Sequence, residues 1–198
     1  MKRYMKGKFE FLGVKSPERR GVLRAFRRFP EGVDPEAVLT ALWAYPYREA
    51  QYAAVDLAER YVKQGDATRI ELYRHFVTDK SWWDTVDAVA AKLIGGHFRR
   101  FPHLIAPCTA AWMQSDSLWL RRTCLLFQLT YKGETDATLL FDFIRRLSGS
   151  EEFFIRKAIG WSLRQYARTE PEAVRRFVAE TALSPLSRRE ALKHLGEK

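Results

Sequence analysis

The chain has 198 residues, of which 46% are hydrophobic and 14% aromatic. This is enough apolar material for a packed core, and it excludes a wholly disordered chain. Lysine and arginine outnumber aspartate and glutamate by 34 to 24, which gives a formal net charge of +10. A chain of this length is expected to form a single domain over residues 1–198, built as one short array of repeats.

Helix-start and helix-stop signals alternate along the chain. The predicted starts have either a residue whose side chain can cap a helix or a proline, which has no backbone N–H to satisfy in the first turn. Between the signals lie segments of about 10–18 residues with apolar side chains at helical spacing. The predicted starts are Ser16, Asp34, Pro46, Ser81, Ser150 and Thr169, and the predicted stops are Gly65, Gly95-Gly96, Gly133 and Gly196.

These elements predict an all-α fold of about ten helices joined by short loops. No stretch alternates apolar and polar residues for long enough to predict a strand, and Asn-Gly and Asp-Gly hairpin signals are absent. Antiparallel helices stacked side by side would form an α-α superhelix with a concave inner face. Because no strict sequence period is present, the repeats are expected to be HEAT-like. A closed helical bundle is the alternative architecture.

The positive charge is concentrated at the two ends of the chain. Residues 1–30 contain ten Lys and Arg against two acids, and residues 156–198 contain ten against five. Residues 31–155 contain fourteen against seventeen. If both ends line one concave face they form a positive trough, which is typical of nucleic-acid binding. The alternative interpretation is a charge surplus that only keeps the chain in solution.

Other features bear on compartment and cofactors. The N-terminus has no apolar signal core, and no run of about eighteen apolar residues could cross a bilayer. Cys108 and Cys124 are sixteen residues apart, without the paired spacing of a metal site or disulfide framework. The four histidines show no ligand spacing either. We therefore expect a cytoplasmic protein that needs no metal or other cofactor and does not bind membranes.

Residues 81–87, SWWDTVD, combine two tryptophans with two carboxylates. On a helix, Trp83 and Asp87 are four residues apart and share one face. The ring face attracts positive charge and the carboxylate supplies negative charge, as a cationic ring-shaped ligand requires. The chain as a whole is basic and therefore suited to a polyanion. Alkylated DNA combines both properties, because a methylated purine is a cation within a polyanionic phosphate backbone. Ser81 and Asp84 fit a capping box, which gives Asp84 a structural role and leaves Asp87 as the candidate for chemistry.

Two further clusters contain arginine. The adjacent Arg121 and Arg122 are either phosphate contacts or part of a solvated helix face. Trp161, Arg164 and Arg168 share one helix face, where Trp161 is either a core residue with arginines extending outward or part of a binding surface. P-loops, serine triads and glycine-rich dinucleotide turns are absent.

Five segments, in this order, carry a resemblance to a known family. They are residues 3–20 (RYMK, FLG and PERR), 80–87 (KSWWDTVD), 119–129 (WLRR and LFQL), 152–161 (EFFIRKAIGW) and 186–191 (LSRREA). Together they resemble the AlkD-like DNA alkylation repair enzymes, which are DNA glycosylases built from HEAT-like repeats. The resemblance covers nearly the whole chain.

The resemblance implies a role for a small set of residues. Asp87 matches the catalytic aspartate, and Trp83 and Trp161 match the tryptophans that flank it in the active cleft. The DNA contacts that the resemblance implies are Arg122, Arg164 and Tyr4. It further implies a monomer that excises cationic N3- or N7-alkylated purines from double-stranded DNA without flipping the base. Such a protein would associate with the nucleoid through DNA.

Family members often begin with one more helix before the region that matches Arg3-Tyr4-Met5. This sequence starts without that helix, so the resemblance does not fix its DNA affinity or damage range, whereas the catalytic positions are present. The alternative function is a HEAT-repeat protein that binds damaged or branched nucleic acid without catalysis. A protein-binding scaffold is disfavoured by the net charge of +10 and by the two basic ends.

Overall fold

The computed structural model of the chain describes residues 3–26 and 29–196. Within these ranges the chain is helical, and it forms no strand beyond an isolated bridge between Glu10 and Tyr47. The prediction of an all-α fold is confirmed. The helices are α1 (Ser16–Leu23), α2 (Pro35–Ala44), α3 (Arg48–Tyr61), α4 (Ile70–Thr78), α5 (Trp83–Ala88), α6 (Gly95–Arg100), α7 (Ile105–Gln114), α8 (Leu118–Leu126), α9 (Ala137–Leu147), α10 (Phe153–Tyr166), α11 (Pro171–Glu180) and α12 (Pro185–Leu192).

The helices pack in two layers. Along the inner layer α1, α3, α5, α8, α10 and α12 follow one another, each in contact with the next. The helices α2, α4, α7, α9 and α11 cover its outer side. One connected apolar core runs between the layers, from Leu23 of α1 to Ala191 of α12. This is the stacked, superhelical arrangement that the sequence predicted, and its inner layer lines a groove.

Helix boundaries follow the predicted signals with shifts of a few residues. Asp34 caps α2 as predicted, because its carboxylate accepts two amides of the first turn. α1 begins at Ser16 itself. α10 begins at Phe153 and α11 at Pro171, slightly later than the predicted starts. Such shifts are ordinary at helix ends, where tertiary contacts decide the first turn.

The predicted capping box at Ser81 and Asp84 is wrong. α5 begins at Trp83, one residue later than the box requires. The Ser81 hydroxyl instead donates to the carbonyl of Val77, over 2.7 Å. Asp84 does have a structural role, but it acts as the ion-pair partner of Arg48 on α3.

The predicted helix break at Gly95-Gly96 is also wrong. α5, a π-helical segment over Val89–Ile94 and α6 form one continuous helical stretch that contains both glycines. A Cβ on Gly95 would lie 2.3 Å from the carbonyl oxygen of Phe127, and one on Gly96 would lie 2.9 Å from a methyl group of Val62. The glycines therefore allow neighbouring backbone and side chains to approach closely.

We expect Gly95→Ala to lower the free energy of unfolding by about 2 kcal/mol, because overpacking against a backbone carbonyl outweighs the gain in helix propensity. Gly133→Ala is the control, since nothing lies within 4 Å of a Cβ at that position. Urea unfolding of the two variants and the unsubstituted protein measures the difference. Equal stability of Gly95→Ala and Gly133→Ala would contradict this role for Gly95.

Candidate active site in the inner groove

Trp83, Asp87 and Trp161 lie together on the wall of the inner groove. All three line the same two neighbouring clefts, which have volumes of about 460 and 540 Å³. Trp83 and Asp87 come from successive turns of α5, and Trp161 comes from α10. The structure therefore brings together the three residues that the sequence singled out for catalysis.

The carboxylate of Asp87 is held in a two-pronged ion pair by Arg122 of α8. Arg122 Nε donates to Asp87 Oδ1 over 2.7 Å, and Nη2 donates to Oδ2 over 2.8 Å. Arg122 Nη1 donates to the carbonyl of Phe154, at the start of α10. The Asp87 side chain is only 14% exposed and the Arg122 side chain only 5%. The guanidinium thus joins α5, α8 and α10 and fixes the orientation of the carboxylate.

Opposing effects set the protonation of Asp87. Burial raises the pKa of its carboxyl above the usual range. The hydrogen bonds and charge of Arg122 oppose that rise, whereas the negative charge of Asp84 adds to it. The net direction is a raised pKa, because burial is the largest effect. A carboxylate with a raised pKa is a better proton acceptor than an exposed one.

A second arginine–aspartate pair fixes the first turn of α5. Arg48 of α3 is fully buried and donates to Asp84 from Nε and Nη2, over 2.9 and 2.7 Å. It also donates to the carbonyl of Lys80 and the hydroxyl of Thr85, over 2.8 Å each. Sequence reasoning missed Arg48, since an arginine at the start of a helix resembles many surface residues. The pair holds the helix that carries Asp87 in a fixed register.

The two adjacent tryptophans of the motif have different surroundings. Trp82 is buried and packs edge-on against Trp119 and Phe154, with ring centroids 5.7 and 5.0 Å apart. Lys8 Nζ lies 4.7 Å from the centre of the Trp82 ring. Trp83 is half-buried and lines both of the clefts that Asp87 lines, whereas Trp82 borders only one of them. Trp82 therefore anchors the start of α5, while Trp83 is the indole that accompanies Asp87 along both clefts.

Arg122 lines the cleft beside Asp87, but its guanidinium is engaged mainly by protein groups. Its three nitrogens are all used in hydrogen bonds to Asp87 and Phe154. In this structure it acts as the residue that orients Asp87. A contact between Arg122 and the DNA backbone stays a prediction.

Tyr4 and Arg164 come from opposite ends of the chain, yet both line the cleft that contains Asp87. Tyr4 is 73% exposed and meets Trp83 edge-on, with ring centroids 5.9 Å apart. Arg164 of α10 donates from Nη1 to Glu190 of α12, over 2.6 Å. The structure therefore brings both side chains to the same cleft as Asp87.

Positive side chains line the groove on both sides of Asp87. On one side they come from α1, the short 3-10 turn Arg24–Phe26 that follows it, α3 and the π segment, and on the other from the N-terminal segment and α10. The first set is Arg19, Arg20, Arg24, Arg60 and Lys92, and the second is Lys6, Lys157 and Arg164. The acids Asp56, Glu59 and Glu190 accompany them. Residues from both basic ends thus share one face, which suits a polyanionic ligand.

The structure adds three observations on cofactors and compartment, all limited to residues 3–26 and 29–196. No group of three or more His, Cys, Asp or Glu side chains is placed to hold a metal ion. Cys108 and Cys124 are free thiols. None of the helices has the length and apolar character needed to cross a bilayer.

Fold and site together define a helical-repeat protein with a basic inner groove, which a largely buried carboxylate and two indoles line together. Residues 1–195 match the family model described as DNA alkylation repair enzyme, so the chain belongs to this family. A solved structure described as "Predicted DNA alkylation repair enzyme from Enterococcus faecalis" is 35% identical, with a TM-score of 0.90, over 100% of this chain and 94% of that chain. The comparison with curated proteins found no match.

We expect the Asp87 carboxyl to titrate above the ordinary aspartate value of about 3.9, and higher still in Arg122→Met. Methionine keeps much of the packing but removes the hydrogen bonds and the charge that oppose the rise in pKa. A carbon-13 NMR titration of the aspartate carboxyls measures both midpoints. Asp66, whose pKa is lowered by the Thr68 hydroxyl and amide, is the internal reference. A lower Asp87 midpoint in Arg122→Met would contradict this description of the site.

Proposed function

We propose that the protein is an AlkD-like DNA glycosylase that excises cationic N3- or N7-alkylated purines from double-stranded DNA. One observation carries the proposal: Asp87 is an arginine-held carboxylate that lines a basic groove together with Trp83 and Trp161. Membership of the DNA alkylation repair enzyme family supports alkylated DNA as the substrate. In this proposal the protein acts as a monomer, in the cytoplasm and in association with the nucleoid.

An alkylated purine is already a good leaving group. Alkylation at N3 or N7 places a positive charge on the base and weakens the glycosidic bond before any protein contact. The bond then breaks with its electron pair moving to the purine, so little general acid is required. The remaining tasks are to stabilise the cationic sugar and to supply water, as in the hydrolysis of other glycosides.

Asp87 is suited to both remaining tasks. Its negative charge would lie where positive charge develops on the sugar, and Arg122 fixes its direction before the reaction begins. Partial burial keeps bulk water from screening that charge. The raised pKa of the carboxyl also favours acceptance of a proton from the water that attacks the sugar.

The neighbouring side chains would hold the DNA strand against Asp87. Trp83 and Trp161 would pack on the deoxyribose, where their ring faces favour its cationic form. Tyr4 and Arg164 line the same cleft, so they are placed for the backbone beside the lesion. Arg122 would share its positive charge between Asp87 and a nearby phosphate.

In this proposal the alkylated base stays stacked in the duplex. Enzymes that flip a base enclose it in a snug pocket. Asp87 instead lies on the wall of a groove lined by indoles and cations, which are groups suited to sugar and phosphate. The resemblance to the AlkD-like enzymes favours the same route.

We expect Asp87→Asn to slow the release of 7-methylguanine from methylated duplex DNA by about 10²–10³-fold, the size of effect seen when one group that stabilises developing charge is removed. Duplex binding should persist, because the basic groove is unchanged. Single-turnover release and equilibrium binding measure the two quantities. In the unsubstituted protein, release should fall as the pH drops through the raised pKa of Asp87, because the ionised carboxylate is the active form.

The matched control is Asp142→Asn, which removes one negative charge from an exposed pair with Arg146 on the outer helix α9. It should release the base at the unsubstituted rate. Release by Asp87→Asn at that same rate would refute the role of Asp87. Binding of alkylated DNA with no release by the unsubstituted protein would instead establish the non-catalytic alternative.

A further inference from the structure

Glu190 of α12 is an acid in the Asp87 cleft that the proposed chemistry does not use. Its Oε1 forms an ion pair with Lys157 Nζ over 2.9 Å, and its Oε2 accepts a hydrogen bond from Arg164 Nη1 over 2.6 Å. The Glu190 side chain is only 15% exposed, and all three residues line the same cleft as Trp161. One carboxylate therefore engages both of the cations that α10 contributes to this cleft.

Backbone packing seats this carboxylate. A Cβ on Gly160 of α10 would lie 2.4 Å from Glu190 Cβ and 2.9 Å from the carbonyl oxygen of Ser187. The Ser187 hydroxyl in turn donates to the carbonyl of Arg156, over 2.9 Å. The glycine lets α12 approach α10 at the level of Trp161. The position of Glu190 in the cleft wall is therefore fixed by the packing of α12 on α10.

The charge state of Glu190 is also fixed. The hydrogen bond from Lys157, together with the bond and charge of Arg164, lowers the pKa of its carboxyl. Glu190 is consequently ionised at neutral pH. Its negative charge offsets part of the positive charge of the two cations.

Such a carboxylate changes what the cations contribute to DNA binding. Affinity for undamaged DNA comes mainly from cations that neutralise phosphates and release counterions. A cation already paired with a protein carboxylate contributes less, because a phosphate must first displace that carboxylate. Glu190 and phosphate therefore compete for Lys157 and Arg164.

We propose that Glu190 is a specificity-determining residue that withholds Lys157 and Arg164 from the phosphates of undamaged DNA. This inference rests on the proposed function, since it takes duplex DNA as the ligand of the groove. On undamaged DNA the two cations stay with Glu190, and non-specific affinity is kept low. At a lesion drawn towards Asp87 and Trp161, the backbone comes close enough to displace the carboxylate.

The test is the affinity of Glu190→Gln for a short undamaged duplex at several salt concentrations. We expect binding several-fold tighter than that of the unsubstituted protein. The dependence of log affinity on log salt should also steepen by about one to two, because one or two more phosphates are neutralised. Glu172→Gln is the matched control, since it removes the same charge from a partner of Arg175 on α11, in the outer layer. It should leave the slope unchanged.

Two further variants distinguish an effect of freeing Lys157 and Arg164 from an effect of loosening the packing of α12. Adding Arg164→Met to Glu190→Gln should remove much of the gain in affinity and slope. Glu190→Asp keeps the negative charge, but its shorter side chain cannot reach both cations. It should give an intermediate gain in affinity and in salt dependence. This variant decides the question if Glu190→Gln does not fold. Unchanged or weaker binding by the folded Glu190 variants would overturn the inference.

The same measurements distinguish this inference from the proposed function. If the unsubstituted protein binds duplex DNA in a salt-dependent way but releases no base, glycosylase activity fails and the role of Glu190 is still decided by its variants. If the protein does not bind duplex DNA, both proposals are overturned.

Discussion

The ion pair between Asp87 and Arg122 is the interaction on which the site depends. An ionised carboxylate that is only 14% exposed loses hydration worth several kcal/mol, and a well-aligned partner must offset that loss. The two parallel bonds from Arg122 provide that alignment, while its third nitrogen ties the pair to α10. The carboxylate can therefore be fixed and negative while it still borders a groove.

The rest of the fold keeps this pair in place. Arg48 locks the first turn of α5 through Asp84, so α5 is held by one arginine from α3 and another from α8. The close approaches at Gly95 and Gly160 seat α6 and α12 against their neighbours. Two stacked layers of helices thus convert residues far apart in sequence into one groove wall, with negative charge at its centre and positive charge on both sides.

Local patterns predicted the all-α fold, and the spacing of Trp83 and Asp87 identified residues that do share a cleft with Trp161. Partners distant in sequence could not be predicted in this way. Arg48 and Asp84 are 36 residues apart, so a local capping box was the natural but wrong interpretation of Asp84. Gly95-Gly96 resembled a helix end because the close contact with Phe127 is not visible in the sequence.

In the proposed function, the negative charge of Asp87 stabilises positive charge on the sugar. The most direct measurement compares the affinity for a duplex with a cationic pyrrolidine abasic analogue against that for the same duplex with a neutral tetrahydrofuran. Two charges about 4 Å apart interact by a few kcal/mol near a protein surface. The unsubstituted protein should therefore prefer the cationic duplex by about tenfold or more, and Asp87→Asn should lose that preference. Equal affinity of the unsubstituted protein for both duplexes would show that Asp87 does not stabilise positive charge at the sugar position.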